Sequence, residues 1–278
     1  MSNIRMIASD IDGTLLRDDG TVSERTRAAI RAAQRQGVLF TVCTGRYPEH
    51  ADVILRLQGL RCPISGNNGA TQWDSGSGRV LSDHFLPGDA ARAIAACAAR
   101  LQTDFILFAP RRVIASSDDA LHISQERFGD RLTAEYGIRF EAGPQAVARA
   151  LTKPVNKFYF RYSLPAQREA LTDAFAAIPD IQITTSGHAN VEIIPVGCNK
   201  ASGVAAMAAL HGIDLSQVMT VGDYENDVPM LTAAGLGVAM GNASPAIQAL
   251  AGHVTATNNQ DGLALAIERF VLDGKSEA

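Results

Sequence analysis

Two carboxylates stand one residue apart near the start of the chain, in Ser9-Asp10-Ile11-Asp12-Gly13-Thr14. The apolar residues Ile4, Met6, Ile7 and Ala8 come just before them. A short strand there would deliver both carboxylates into a tight turn at Gly13. One could then act as a nucleophile and the other as a proton carrier. In open α/β sheets, ligands bind beyond the carboxyl ends of the strands. Taken alone, the string also suits an ordinary Asp-Gly turn in which Asp12 serves the turn.

Three further signals fall where a predicted strand ends. Thr44-Gly45 offers an anion a hydroxyl and an unhindered backbone N–H, though by itself it reads as a strand-to-helix turn. Lys200 opens a predicted helix, where a cation opposes the macrodipole. An anion placed before both would account for it, and so would a solvated lysine after Asn199 as N-cap. Gly222-Asp223-Tyr224-Glu225-Asn226-Asp227 combines a strand end with an acidic first helical turn. Asp10, Asp12, Asp223 and Asp227 converging on one sheet edge would repel one another and require a cation. Oxygen-only ligands select a hard metal, and carboxylates with phosphate and water suit Mg²⁺. Thr44, Gly45, Asn226 and Lys200 supply the donors and charge that a transferring phosphoryl group requires.

The elements that must position these residues follow an α/β rhythm at both ends of the chain. Strands are expected over 4–9 and 38–42, with helices from Ser23 to about Gln36 and from Glu49 to Gln58. A turn-rich stretch, Asn67-Asn68-Gly69-Ala70, follows a short strand at 63–65. From about Asp83 the pattern changes. An Ala-rich helix, paired apolar stretches at 105–108 and 113–115, a strand at 157–162, a helix at 164–178 and a strand at 181–185 suggest an inserted α+β unit. The rhythm then returns with strands at 191–195, 217–221, 237–240 and near Val254. Helices are expected at 200–211, after Asp227, from Ser244-Pro245, and over 262–272.

Length and composition leave room for this arrangement and exclude others. The 278 residues are 46% hydrophobic and 19% charged, with a formal net charge of -4. No basic run points to nucleic acid or an anionic membrane. No secretory pattern precedes Asp10, and no apolar run is long enough to span a bilayer. Cys43, Cys62, Cys97 and Cys198 lie far apart and read as reduced thiols of a cytoplasmic protein.

In this order the motifs resemble those of the haloacid dehalogenase (HAD) phosphatase superfamily, in its Cof-like branch with a type IIB cap. The matching stretches are Asp10-Ile11-Asp12-Gly13-Thr14, Thr44-Gly45-Arg46, Asn68-Gly69-Ala70, Lys200, Gly222-Asp223 with Asn226-Asp227-Val228-Pro229-Met230-Leu231, and Gly237 to Ala243. The resemblance implies a Rossmann-like, doubly wound parallel-sheet core with an inserted α+β cap. The expected division is core over 1–82, cap over 83–187 and core over 188–278. It implies that Asp10 is the nucleophile that forms an aspartyl-phosphate. Asp12 is then the general acid and base, and Asp10, Asp223 and the Asp12 carbonyl hold Mg²⁺. Thr44, Gly45 and Lys200, joined by Asn226, would bind the phosphoryl oxygens. Asp227 would support the metal or Lys200 from behind. Arg46 suits either a structural ion pair or a substrate contact. One departure is Ala201, where relatives usually carry Gly.

The cap would select the leaving group, with hinges near Asp83 and Ser186-Gly187. Arg111, Arg112, Lys157, Arg161 and His188 could reach a polar substrate, with a solvated surface the default for each. Glu192 and His188 fall near the second hinge. The reading that follows is a Mg²⁺-dependent phosphatase of small phosphorylated metabolites, sugar phosphates first, with pyridoxal phosphate or a flavin precursor phosphate as alternatives by family analogy, and with the oligomeric state open between monomer and weak dimer. A sugar phosphomutase is the alternative enzyme. A catalytically silent phosphate-binding protein is the alternative of another class, against which the intact Asp12 argues.

Overall fold

The computed structural model describes residues 4–125, 128–187 and 189–272. His188 lies outside the described residues. The chain divides into two compact units, one built from residues up to Leu81 and from Asn199 onward, the other from Ser82–Cys198.

The first unit is built on β1 (Met6–Ser9), β2 (Leu39–Cys43), β3 (Ile64–Gly66), β4 (Thr71–Asp74) and β5 (Arg79–Asp83). The second unit carries β6 (Ile106–Ala109), β7 (Arg112–Ala115), β8 (Arg139–Ala142), β9 (Lys157–Arg161), β10 (Ile181–Thr184) and β11 (Asn190–Pro195). The chain then returns to the first unit with β12 (Val218–Gly222), β13 (Leu236–Ala239) and β14 (His253–Val254).

The first sheet runs in the order β14-β13-β12-β1-β2-β3-β4-β5. It is parallel from β14 to β3, and β4 pairs antiparallel to β3. Its central strands are buried along their length, so they read as unbroken apolar runs and not as alternation. Met6 and Ala8 of β1 and Val218 of β12 pack with Val204, Met207 and Ala208 of the helix Lys200–Leu210. The helix Glu24–Arg35 begins where the Ser23 side chain accepts from Thr26 N–H and ends before Gly37, whose φ of +80° continues no helix.

The second unit is a six-stranded sheet in the order β10-β11-β9-β6-β7-β8, antiparallel except for β7 with β8. Phe105, Phe158, Phe160 and Phe175 form its aromatic core, with ring centroids 4.8 to 6.3 Å apart. Short helices at Asp118–Gln125, Gly129–Tyr136 and Pro144–Ala150, and the strand β8, occupy a stretch for which the sequence suggested no elements.

Three sequence expectations are corrected here. The strand at 191–195 was read as the return to the core. It is β11, and it pairs antiparallel with β9 and β10, placing Val191 and Ile193 in the apolar core of the second unit. The inserted unit therefore ends at Cys198 and not at 187. Ser186-Gly187 is the connection between two paired strands and not a hinge. Its backbone is held by Thr185 Oγ1 donating to the Gly187 carbonyl at 2.8 Å and by Ser186 N–H donating to Asn190 Oδ1 at 3.0 Å. Lys157, expected in solvent, is 2% exposed and bonds Glu192 at 3.0 Å, while Ser186 Oγ donates to the same Glu192 oxygen at 2.9 Å. Buried charges of this kind persist only when paired.

All four cysteines are free and buried. Among the described residues no helix is long and apolar enough to cross a membrane.

Candidate active site

Four strand ends of the first sheet meet beside β1. Asp10 follows β1, and its N–H donates to Val221 of β12 at 2.9 Å. Thr44 follows β2, Asn67 follows β3 and Asp223 follows β12. Because β12, β1, β2 and β3 are adjacent and parallel, their carboxyl ends point the same way.

Lys200 sits at the centre, 1% exposed, on the first turn of its helix. Asn199 caps that helix by accepting from Ser202 N–H at 3.0 Å. The helix start comes close to the strand ends because Gly69 and Gly203 carry no Cβ. A Cβ on Gly203 would strike Ser65 Oγ and the Gly69 Cα, and one on Gly69 would strike the Asn199 carbonyl. Lys200 Nζ donates to Asp10 Oδ1 at 2.6 Å and to Asp227 Oδ1. Asp227 Oδ2 accepts from the N–H groups of Asp223 and Tyr224 at 2.8 and 2.9 Å. Both Asp227 oxygens are thus engaged, and the side chain holds Lys200 in place from behind.

The charges are unequal. Asp10, Asp223 and Asp227 each place a carboxylate oxygen within 4.8 Å of the others, against one buried ammonium. Burial pushes the Asp10 carboxyl well above its usual range against the pull of Lys200, and Asp227 and Asp223 push it further. Burial and the Asp227 charge push Asp223 up to about 6, although Thr14 Oγ1 donates to its Oδ1 at 2.7 Å. Burial would lower Lys200, but Asp10 and Asp227 outweigh it and hold the ammonium charged. Burial beside this cluster pushes the Cys43 thiol up to about 12, so it is inert as a nucleophile.

Such a set fits a divalent cation. The donors are all oxygens, and the carboxylates exceed the cation that neutralises them. With Asp227 spent on Lys200 and two amides, Asp10 and Asp223 are the side chains left to hold it. Gly13, at φ +80°, keeps the space beside them open: a Cβ there would run into Asp223 Oδ2.

Asp12 lies on the rim, its side chain 47% exposed. Arg46 grips it with Nε on Oδ2 and Nη2 on Oδ1, both at 2.7 Å. Burial raises the Asp12 carboxyl, but the Arg46 hydrogen bonds and charge outweigh it and hold it below the usual range. Arg46 thus makes an ion pair with Asp12. Thr44 is 1% exposed, and its Oγ1 accepts from Arg46 N–H at 3.2 Å, shaping the turn through Gly45. Asn226 donates to Asn68 Oδ1 at 2.9 Å.

Asn68, in the Asn68-Gly69-Ala70 motif, positions Asn226. Asn67 and Asn68 both adopt left-handed backbone, φ 51° and 53°, and Gly69 follows at φ 93°. Asparagine tolerates that region better than most residues. The run turns the chain so that Asn68 N–H donates to the Thr44 carbonyl at 2.9 Å while its side chain meets Asn226. Thr14, in the Asp10–Thr14 motif, is the hydroxyl on Asp223.

The comparisons with known proteins bear on the same chain. The family model described as haloacid dehalogenase-like hydrolase matches residues 7–267. The chain belongs to that family. The 5-amino-6-(5-phospho-D-ribitylamino)uracil phosphatase YitU of Bacillus subtilis is 30% identical over 273 residues, spanning 95% of this chain and 97% of its own. YcsE of the same organism, named for the same activity, is 29% identical over 270 residues, 97% of each chain. A solved haloacid dehalogenase-like hydrolase from B. subtilis superposes with a TM-score of 0.82 at 26% identity, covering 96% of this chain and 100% of its own. The subclass IIB sugar phosphatase BT4131 superposes at 0.81 with 24% identity, covering 96% and 99%. The expected fold class, a Rossmann-like core with an inserted cap, is the fold of these enzymes, and the chain is an enzyme of the HAD phosphatase class.

Proposed function

We propose that this chain is a Mg²⁺-dependent phosphatase of small phosphorylated metabolites and that it works through an aspartyl-phosphate on Asp10. One observation carries the reading. Asp10 is buried at the end of β1, with one oxygen held by Lys200 and the other free of any protein donor among the described residues, two residues from a second carboxylate. A binding site for phosphate would not put a bare carboxylate oxygen where the anion must come. A nucleophile must stand there.

In this reading Asp10 Oδ2 attacks phosphorus in line with the ester oxygen. A bond forms between Oδ2 and phosphorus, and the ester bond breaks. The departing alkoxide takes a proton from Asp12. A water then attacks the phosphorus while Asp12 accepts its proton, and Asp10 leaves as carboxylate, releasing phosphate. Lys200, Thr44, the Gly45 N–H and Asn226 bind the phosphoryl oxygens and stabilise the charge that spreads over them. Asp10, Asp223 and the Asp12 carbonyl would hold Mg²⁺, whose charge would offset the repulsion between carboxylate and phosphate. Asp12 must be protonated for the first step, and its bond to Arg46 opposes that. Arg46 must therefore release Asp12, or turn to the substrate, before the leaving group departs.

The inserted unit selects the leaving group. The named activity of the relatives is on a phosphorylated ribityl chain. Phosphorylated sugars and sugar alcohols are accordingly the class to test first. The test is phosphate release from a panel of hexose and pentose phosphates, the ribitylaminouracil phosphate and pyridoxal phosphate, with Mg²⁺ and in chelator. Turnover in Mg²⁺ that chelator abolishes supports the reading. Full activity in chelator after dialysis overturns the metal assignment. Transfer of phosphate between positions of one sugar, without release, would make the enzyme a mutase.

A further inference from the structure

We propose that Asn242 and Asn258 form a clamp that positions the turn carrying Asp12 and Gly13. The proposal rests on the reading of that turn as catalytic. Asn242 Nδ2 donates to the Gly13 carbonyl at 2.9 Å across 229 residues of sequence. Its Oδ1 in turn accepts from Asn258 N–H at 3.0 Å. Asn258, only 7% exposed, donates through Nδ2 to the Leu16 carbonyl at 3.1 Å and to Asp18 Oδ1 at 2.9 Å. Asn259 adds Nδ2 on Asp18 Oδ2 at 2.7 Å, and Arg17 reaches Asp261 at 2.7 Å.

The other end of the clamp is fixed. Gly241 N–H donates to the Ala256 carbonyl at 3.0 Å, and a Cβ on Gly241 would press on the backbone of residues 255–257 at 2.9 Å. Gln248 Nε2 donates to the carbonyls of Gly241 and Ala243 at 3.1 and 3.0 Å. The segment 241–243 is thus braced against both the helix that follows it and the turn at 256–261. Asn242 transmits that position to Gly13.

Gly13 is where position matters. Its carbonyl belongs to the peptide that leads into Thr14, and Thr14 Oγ1 holds Asp223. Its α-carbon faces the Asp223 carboxylate at a distance no side chain would permit. A shift of this peptide moves Asp12 on one side and Asp223 on the other. Displacement of a reacting group by about 1 Å can cost a hundredfold in rate. A hydrogen bond on the protein surface is worth little to the fold. Asn242 is exposed, so its contribution falls on geometry and not on stability.

The test compares Asn242→Ala, Asn258→Ala and the double variant with the wild type. A control, Arg25→Gln, breaks two hydrogen bonds to Glu268 away from the turn. Turnover of 4-nitrophenyl phosphate with Mg²⁺ gives kcat and KM, and hydrogen exchange of the amides of 11–18 is read in the metal-free protein. Each asparagine variant should lose about tenfold to a hundredfold in kcat with KM changed by less than about threefold. Exchange should quicken within 11–18 and nowhere else apart from 241–243 and 256–261. The double variant should lose more than either single one, because the Asn242 side chain holds the Gly13 carbonyl and the Asn258 side chain holds the Leu16 carbonyl. Arg25→Gln should keep the wild-type kcat whatever it does to melting. Wild-type kcat in both single variants overturns the clamp, as does a loss in the control as large as theirs. If the wild type releases no phosphate from any monoester, the phosphatase reading fails. Exchange alone then decides the clamp: acceleration confined to those segments supports it, and unchanged exchange overturns it.

Discussion

Replacing Lys200 by Met keeps most of the side-chain length and removes the ammonium that Asp10 and Asp227 share. In the wild type the Lys200 side chain is 1% exposed, and its two partners, Asp10 and Asp227, are 8% and 0% exposed. Removing one member of a buried ion pair leaves an uncompensated charge at a cost of about 3–5 kcal/mol. Here two charges are stranded within 4.8 Å of a third carboxylate, so the upper end applies to the metal-free protein at neutral pH. For a unit of this size, that loss lowers the melting temperature by on the order of 10 °C. The single tryptophan, Trp73, lies in β4 of the core and is 5% exposed, so its fluorescence follows the unit concerned.

The pH dependence carries a definite sign. In the wild type the folded pKa of Lys200 is raised. Its contribution is full below the unfolded value of about 10.4 and is lost only as pH rises through the folded value. It therefore adds no slope between about pH 5 and 8. In Lys200→Met the folded Asp10 and Asp223 carboxyls, which Lys200 pulls down, are raised further. The folded state then holds protons that the unfolded state releases, and the deficit should shrink as pH falls from about 7.5 to 5. Adding Asp227→Asn removes one stranded charge and should recover about half the loss. A deficit below about 1 kcal/mol, a deficit that does not change with pH, or a double variant no better than the single one would refute the reasoning that Lys200 neutralises this cluster.

Three further outcomes follow from the same geometry. Asp10→Asn should abolish phosphate release while the Trp73 transition in chelator stays at or above that of the wild type, since one repelling carboxylate is gone; near-normal turnover would remove Asp10 as nucleophile. Asp223 is raised to about 6, so its contribution to metal-free stability is full below about pH 4 and is lost as pH rises through about 6, worth on the order of 3 kcal/mol at about 1.4 per pH unit; wild-type stability should therefore fall more steeply, or rise less, with pH than that of Asp223→Asn in this window, and equal slopes would exclude the shift. Gly13→Ala should lose both activity and the rise in melting temperature on adding Mg²⁺, because its Cβ meets Asp223 and its φ of +80° disfavours alanine; retention of either would mean the turn can give way.

The charged members of the site were legible in the sequence because charge is costly where these residues lie. Asp10 and Asp223 stand after apolar runs that suit buried strands, and Lys200 sits against a helix dipole. Each is a conflict that burial near the others resolves. Asn226 apart, the amides were not legible. Asn68, Asn242 and Asn258 are asparagines in turns, and a turn is where asparagine is expected without further purpose. Their partners are backbone carbonyls and other amides, which leave no mark of their own on the sequence. The same limit explains the misplaced domain boundary. Val191-Glu192-Ile193-Ile194-Pro195 is apolar enough for a buried strand in either sheet, and only its pairing with β9 and β10 assigns it. Strand order is not written in any one strand. It can be inferred when strands carry charges that are unstable apart, as β1, β12 and the helix Lys200–Leu210 do, because one arrangement alone brings the ammonium between the carboxylates. β11 also carries a charge, Glu192, and its partner Lys157 lies on β9, so the pair held the same information. A buried Glu on one apolar strand and a Lys on another predict adjacency as surely as Asp10 and Lys200 do. Read that way, Glu192 would have placed β11 beside β9 and moved the end of the inserted unit past Pro195.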